Sequence, residues 1–343
     1  MEFPQFRKLE NGRSLYKITS THQFIELQQI GNKWFLYNFD VQQFPDLMRV
    51  QDMLDEKSPF IQVTAEEFQT VCLIFKQYIW FNRYFIMKNT ALITGASSGI
   101  GKELARIHAS KGGALILVAR RLELLENLKA ELVQKYNVSV HLIQKDLSVV
   151  GSSQEVYDEV KQKGWEVDYL FNNAGFGGKG AFLDRDLESD VEMVRLNVMA
   201  LLKLTHLFGK DMKARGRGKI LQTASTAGFL PGPYQNTYFA TKAFVVSHTQ
   251  GLAHELKGTG VTVTALCPGP VETEFAQVAG FGGSQMFDGA ASAYKTALKG
   301  YNAMEKGKVI CISDFKFTFL IKGILPFMPA SITAAIIAKM QQS

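Results

Sequence analysis

Thr94-Gly95-Ala96-Ser97-Ser98-Gly99-Ile100-Gly101 follows an apolar run, Thr90-Ala91-Leu92-Ile93, and opens an amphipathic stretch from Lys102 to Ser110. Strand, glycine turn, helix is the order a phosphate-binding βα unit needs. Glycines let the backbone turn sharply and let a pyrophosphate approach. The unpaired N–H groups of the first helical turn then face the anion, with the helix dipole behind them. Glycine clusters also mark plain turns, so the rest of the chain has to decide between the two.

Downstream, apolar runs at 90–94, 114–119, 138–143, 167–172, 218–223, 261–266 and 308–312 alternate with helix-like stretches. Each run is short and apolar on both faces, the pattern of a parallel sheet covered by helices on both sides. Met87-Lys88-Asn89-Thr90 looks like an ordinary protein start. An α/β domain with a doubly wound parallel sheet is therefore expected over residues 87–312, with an apolar helical extension over 313–343. Such a sheet binds its ligand outside the carboxyl ends of its strands, so the chemistry is sought just after each one.

After the second run come Arg120 and Arg121. In dinucleotide folds an acid in this region binds the ribose 2′-hydroxyl, whereas an arginine accommodates a 2′-phosphate. Two arginines and no acid favour NADP(H) over NAD(H), although paired basic residues also solvate a helix start. After the third run, Lys145-Asp146-Leu147-Ser148 offers a carboxylate near an adenine site, with Asp146 equally placed to cap the next helix. After the fourth, Asn172-Asn173-Ala174-Gly175 leads into a glycine-rich loop, Phe176 to Gly180, where backbone can approach a planar ring or a ribose. Asparagine also serves ordinary turns. Asn197 falls within a helical pattern, where a buried amide either braces a loop or serves a site.

After the fifth run, Leu221-Gln222-Thr223-Ala224-Ser225-Thr226 ends in hydroxyls, and thirteen residues past Ser225 stands Tyr238-Phe239-Ala240-Thr241-Lys242. Tyrosine and lysine four apart share one helix face. A nearby ammonium is expected to lower the phenol pKa toward neutrality, where it acts as general acid or base. The spacing alone decides nothing, because Tyr84/Lys88 and Tyr157/Lys161 share it. Position decides: only Tyr238 follows a strand ending in hydroxyls and precedes a strand with its own loop signal. That signal is Cys267-Pro268-Gly269-Pro270-Val271-Glu272-Thr273, whose Thr273 hydroxyl is placed to meet a carboxamide or a phosphate. The aperiodic, glycine-rich stretch from Glu274 to Ala293 resembles a mobile lid.

The bounds agree with a globular protein. Of 343 residues, 46% are hydrophobic and 20% charged. Residues 1–86 carry 9 basic and 10 acidic side chains, leaving 29 and 22 for the remainder. The resulting excess of +7 after residue 86 is spread thinly, which disfavours nucleic acid and suits an anionic cofactor. Cys72, Cys267 and Cys311 follow no metal or disulfide spacing. No signal peptide or membrane span is evident, so the cytoplasm is expected. Residues 1–86 form a separate small α+β domain in this reading. Strands are expected at 15–19, 24–28 and 34–39, a short helix after Pro45, and a capping box at Thr64-Ala65-Glu66-Glu67 opening a helix to about Phe81.

In order and spacing, Thr94-Gly95-x-x-x-Gly99-x-Gly101, Asn172-Asn173-Ala174-Gly175, Asn197, Ser225, Tyr238-x-x-x-Lys242 and Pro268-Gly269 resemble the short-chain dehydrogenase/reductase family over roughly Lys88 to Val309. The resemblance implies a Rossmann-type fold and NADPH-dependent reduction of a small-molecule carbonyl. By it, Tyr238 is the acid/base, Lys242 lowers its pKa and holds the nicotinamide ribose, Ser225 polarises the carbonyl, and Asn197 holds a water in a proton relay. It also implies cofactor contacts from Gly95, Ser97, Ser98, Gly99, Ile100, Arg120, Arg121, Asp146 and Leu147 in the first half of the domain. Asn173, Ala174, Gly175, Pro268, Gly269, Val271 and Thr273 follow in the second, together with Tyr238 and Lys242. No metal is implied.

A hydrophobic ketone or 3-oxoacyl group is the expected substrate, on the apolar lining offered by Phe176, Phe182, Phe229, Leu230, Phe281 and Phe287. The tail resembles extensions in family members that reduce hydrophobic or lipid-derived ketones. It is expected to pack on its own domain or on a partner in a homodimer or homotetramer, with membrane-surface contact as the sharper alternative. The rival reading is a catalytically silent NADP(H)-binding sensor or scaffold whose residues 1–86 bind a partner. The complete Asn197, Ser225, Tyr238 and Lys242 set weighs against it.

Overall fold

A computed structural model describes residues 3–30, 33–40, 44–55, 59–68, 89–280 and 289–342. The chain divides into two units, Met1–Ile86 and Met87–Ser343. In the first, five antiparallel strands are ordered β4-β3-β2-β1-β5, from β1 (Gln5–Leu9), β2 (Ser14–Ser20), β3 (Gln23–Ile30), β4 (Lys33–Asp40) and β5 (Phe60–Gln62). Tyr16, Ile18 and Phe24 pack against Val50, Met53 and Leu54 of the helix Phe44–Leu54.

The expected meander is present, but β1 and β5 escape the sequence pattern. In β1 the one buried side chain is Arg7. Its guanidinium donates from Nε to Met53 O at 2.7 Å, placing a cation at the carbonyl end of the helix, where the dipole favours it. A charged residue thus occupies the position where hydrophobic alternation looks for an apolar one. The capping box is formed: Thr64 N–H donates to Glu67 Oε2 at 3.0 Å, and Glu67 N–H to Thr64 Oγ1 at 3.1 Å. The continuation toward Phe81, and Tyr84 with Lys88, lie outside the described residues.

The second unit holds a seven-stranded parallel sheet ordered β14-β11-β10-β9-β6-β7-β8. Its strands are β6 (Ala91–Thr94), β7 (Leu115–Ala119), β8 (Val140–Gln144), β9 (Tyr169–Asn172), β10 (Gly218–Thr223), β11 (Val261–Cys267) and β14 (Ile310–Ile312). The pair β12 (Val271–Glu272) and β13 (Ala291–Ser292) stands apart from it. This is the α/β, doubly wound, Rossmann-type sheet that the alternation predicts. The chain runs outward from β6 through β7 to β8, then returns to the other side of β6 for β9 and beyond. The strand order therefore reverses between β6 and β9, and a ligand crevice forms at the carboxyl ends there. In register, Ala91 faces both Leu115 and Tyr169, which sets the glycine turn after Thr94 opposite Asn173.

Helices cover both faces. One core joins Ile93, Leu117 and Phe171 to Leu104, Leu125 and Tyr301; the other joins Leu92, Ile116 and Leu170 to Val156, Leu204 and Phe208. Neighbouring residues of one strand enter opposite cores, which is why the runs read as apolar throughout. Each buried branched side chain contributes about 1.5–3 kcal/mol, so the sheet is a rigid platform for the loops above it. The tail, expected as an apolar extension, forms a short helix Phe315–Phe319, further helical turns to Phe327, and a helix Ala330–Gln342.

Candidate active site

Above the carboxyl ends of the strands lies a cleft of about 460 Å³. Its floor begins at the glycine turn. Gly95 sits at φ 64, a left-handed conformation open to glycine at little cost, and a Cβ there would lie 2.9 Å from Ala174 Cα. At Gly101 a Cβ would stand 2.3 Å from Gly95 O. Nothing larger than glycine fits between the turn and its helix. The helix Gly99–Ser110 starts on Ser98, which makes no side-chain cap, and has no acid in its first turn. Its opening N–H groups meet a cleft wall of Ser97, Ser98, Gly99 and Ile100. This donor set suits a dinucleotide pyrophosphate.

At the adenosine end, the side chain of Arg120 is 73% exposed and lies 3.6 Å from Asp146. Burial opposes ionisation of Asp146, but the N–H and hydroxyl of Ser148, with Arg120, hold its carboxyl below the usual range. Arg121 is engaged instead: its guanidinium meets Glu274 at 2.7 Å and Ser98 Oγ at 3.1 Å. Arg120 is thus the cation available to a 2′-phosphate, and Arg121 ties the glycine turn to the segment after β12.

Asn173 supports the turn more than it faces the cleft. Its Nδ2 donates to Thr94 O and Gly95 O at 3.1 and 3.3 Å, and its Oδ1 accepts from Thr223 Oγ1 at 3.2 Å. Thr273 Oγ1 accepts from Phe275 N–H at 3.3 Å. Leu147, Ala174, Gly175, Pro268, Gly269 and Val271 also line the cleft.

Tyr238 and Lys242 lie one turn apart on the helix Asn236–Glu255 and are buried beside Ser225. Lys242 Nζ is 5.7 Å from the Tyr238 ring centroid and donates to Thr223 O at 2.8 Å. Ser225 Oγ accepts from Ala227 N–H at 3.1 Å, fixing its orientation at the end of β10. The electrostatics reverse the expectation for the phenol. Burial pushes the Tyr238 pKa up to about 12, with a hydrogen bond to Ser225 pulling the other way. Burial also pushes Lys242 down to about 8. Desolvation of both groups outweighs their mutual effect, because the ammonium is turned toward Thr223 rather than held against the phenol oxygen.

Asn197 does not line the cleft. It lies in a π-helical segment, Arg195–Ala200. Its Oδ1 accepts from Phe176 N–H at 3.1 Å, while Nδ2 donates to Phe176 O at 2.9 Å and to Thr241 Oγ1 at 3.1 Å. Of the two roles open to it, bracing is the one its contacts fill. It clamps the loop after β9 to the helix carrying Tyr238.

Sequence reasoning missed several parts of the wall. Phe317, Ile337, Met340 and Gln341 reach the cleft from the tail, and Gln235, Phe239 and Phe275 complete it. No periodicity announces that a segment about 100 residues past Tyr238 returns to the site. Of the apolar side chains expected in the lining, Phe176 and Leu230 are there. Phe229 packs instead with Ala224 and Val245, Phe182 is half-exposed, and Phe281 and Phe287 lie outside the described residues, as does the middle of the expected lid, whose described ends hold a short helix Phe275–Val278 and β13. The pair Tyr157/Lys161 is structural: both side chains bind the Asp211 carboxylate.

Fold and site together define a dinucleotide-binding α/β protein with a Ser-Tyr-Lys constellation at its switch point. A family profile described as short chain dehydrogenase matches residues 89–280, and the chain belongs to that family. Sulfoacetaldehyde reductase 2 of Chromohalobacter salexigens is 39% identical over 194 residues, covering 56% of this chain and 76% of that protein. Very-long-chain 3-oxoacyl-CoA reductase of Anas platyrhynchos is 33% identical over 194 residues, 55% of this chain and 61% of its own length. Among solved structures, a short-chain dehydrogenase from Sphingobium yanoikuyae in complex with NADPH superposes with a TM-score of 0.62 at 28% identity. That match covers 70% of this chain and 96% of that one.

Proposed function

We propose that the protein is an NADPH-dependent carbonyl reductase acting on a hydrophobic ketone or a 3-oxoacyl-type substrate. The observation that carries this is the burial of Ser225, Tyr238 and Lys242 around one point of a cleft that continues to the glycine turn. Bound NADPH supplies the hydride. Arg120, the first turn of Gly99–Ser110 and the backbone around Ala174 are the residues that would hold it. The Tyr238 hydroxyl, protonated throughout the neutral range at a pKa of about 12, donates the proton to the carbonyl oxygen. The Ser225 hydroxyl donates a second hydrogen bond to that oxygen as its charge grows. Lys242 keeps a positive charge beneath the phenol and stabilises the phenolate left behind.

The apolar wall of Phe176, Leu230, Phe239, Phe275, Phe317 and Ile337 supports a hydrophobic substrate. Two relatives are named for reduction of carbonyl compounds. The test is NADPH oxidation by the purified protein against 3-oxoacyl thioesters, bulky ketones and short polar carbonyls. Preference for the first two classes, abolished in Tyr238→Phe with NADPH binding retained, is the expected result. Tight NADPH binding with no turnover on any member of the panel would favour a silent sensor.

A further inference from the structure

The tail has a second face. A separate depression of about 330 Å³ is lined by Lys299, Lys306, Lys308 and Lys322, with Asn302 and Thr318 beside them, the Thr318 hydroxyl donating to Asp314 O at 2.8 Å. Among the described residues no carboxylate lines it. Glu305, the acid nearest in sequence, is engaged with Lys219 at 2.6 Å. Lys299 donates to Ser313 O at 2.6 Å. Thr318 and Lys322, four apart, point one face of the tail helix at these lysines. Phe315 and Phe319, also four apart, lie beside that face and are 83% and 63% exposed. Phe327 is 84% exposed, and Ile332 and Ile336 of the last helix are exposed as well. Residues 315–343 contain Lys316, Lys322 and Lys339 and no acid.

We propose that this depression and the apolar face beside it dock on an anionic phospholipid bilayer. The lysines take a lipid phosphate and the phenylalanines enter the acyl boundary. Charge selects the occupant. A pocket with four cations and no anion requires a polyanionic surface, and exposed aromatic side chains next to it gain only where that surface has an apolar layer behind it. A second copy of the chain would bring the same lysines against themselves. Among the described residues no helix is long and apolar enough to cross a membrane, so this contact is interfacial. The proposal does not depend on the reductase reading, because its readout is partition and not turnover.

The experiment is co-sedimentation of the full chain with phosphatidylcholine vesicles and with vesicles also containing phosphatidylglycerol, at low and raised salt. Binding to the anionic vesicles alone, weakened by salt, is expected. Charge reversal of Lys306, Lys308 and Lys322 to Glu should lower partition by at least about tenfold. Phe315→Ser with Phe327→Ser should lower it independently, while all variants keep their NADPH affinity as proof of folding. Equal binding to both vesicle types, or variants that partition like the parent, would overturn the proposal. So would binding of soluble pyrophosphate without vesicle binding, or a dimer that the Phe variants dissociate in a protein that ignores vesicles.

Discussion

At Tyr238 two demands meet in one side chain. Burial raises its pKa to about 12, which keeps the proton on the oxygen that the proposed reduction asks to deliver it. Replacing it by Phe leaves the ring packing against Phe239 and Phe275 and removes only the acid, so turnover should fall by about 10²–10⁴-fold with cofactor affinity nearly unchanged. Arg120 differs from Arg121 only in what surrounds it. Arg120→Ala should weaken NADPH binding by at least about tenfold and leave NADH untouched, as competitive fluorescence titrations of the two nucleotides will show. Arg121→Ala, which loses the Glu274 contact, should affect both alike. Gln341 is buried in the cleft wall, and its Oε1 has no hydrogen-bond partner among the described residues.

Among the elements, the loop after β9 is held to the helix carrying Tyr238 by a part-buried network around the buried Asp190. Arg185 pairs with Asp190 at 2.7 Å and donates to Lys179 O at 2.9 Å, and Thr237 Oγ1 donates to Asp190 Oδ2 at 3.1 Å. Thr237 is the residue before Tyr238, so this pair sets the first turn of the helix. Asp190→Ala leaves the part-buried Arg185 guanidinium with only Lys179 O and should cost about 3 kcal/mol of stability, read from denaturant unfolding. It should also lower kcat by loosening Tyr238. The tail is the other element that the site depends on. Phe317→Ala with Ile337→Ala should raise KM for a long apolar ketone about tenfold and leave kcat for a small one unchanged, the two truncations removing apolar contact area and no reacting group.

Across the whole molecule, pH acts through a group far from the chemistry. His108 is buried between Asn89 O, 2.7 Å from Nε2, and the Tyr301 hydroxyl, 3.0 Å from Nδ1. Burial lowers its pKa to about 4, against an ordinary 6.5. The unfolded chain then binds more protons between these values, so stability is lost as pH falls from about 6.5 toward 4, by up to about 3 kcal/mol. Chemical denaturation across that range should show this slope, and His108→Gln should flatten it. Asp168 opposes the trend: burial raises its pKa to about 6, so its own contribution declines as pH rises toward that value.

The alternation of apolar runs determined the sheet, because a strand buried on both faces has no polar position to spare, and each run lies within two residues of a strand. It also located Ser225, Tyr238 and Lys242 at the rim where the cleft forms, since side chains at strand ends and four apart on a helix have positions set by local geometry. What only the tertiary structure decided was who shares the space between them. Arg121 is taken by Glu274, 153 residues away. Asn197 braces Phe176 rather than lining the cleft. The tail lines part of the cleft, and burial drives the phenol pKa upward. Each of these rests on contacts between distant segments or on desolvation. Neither leaves a periodic trace in the order of residues, because both arise only when the folded chain excludes water.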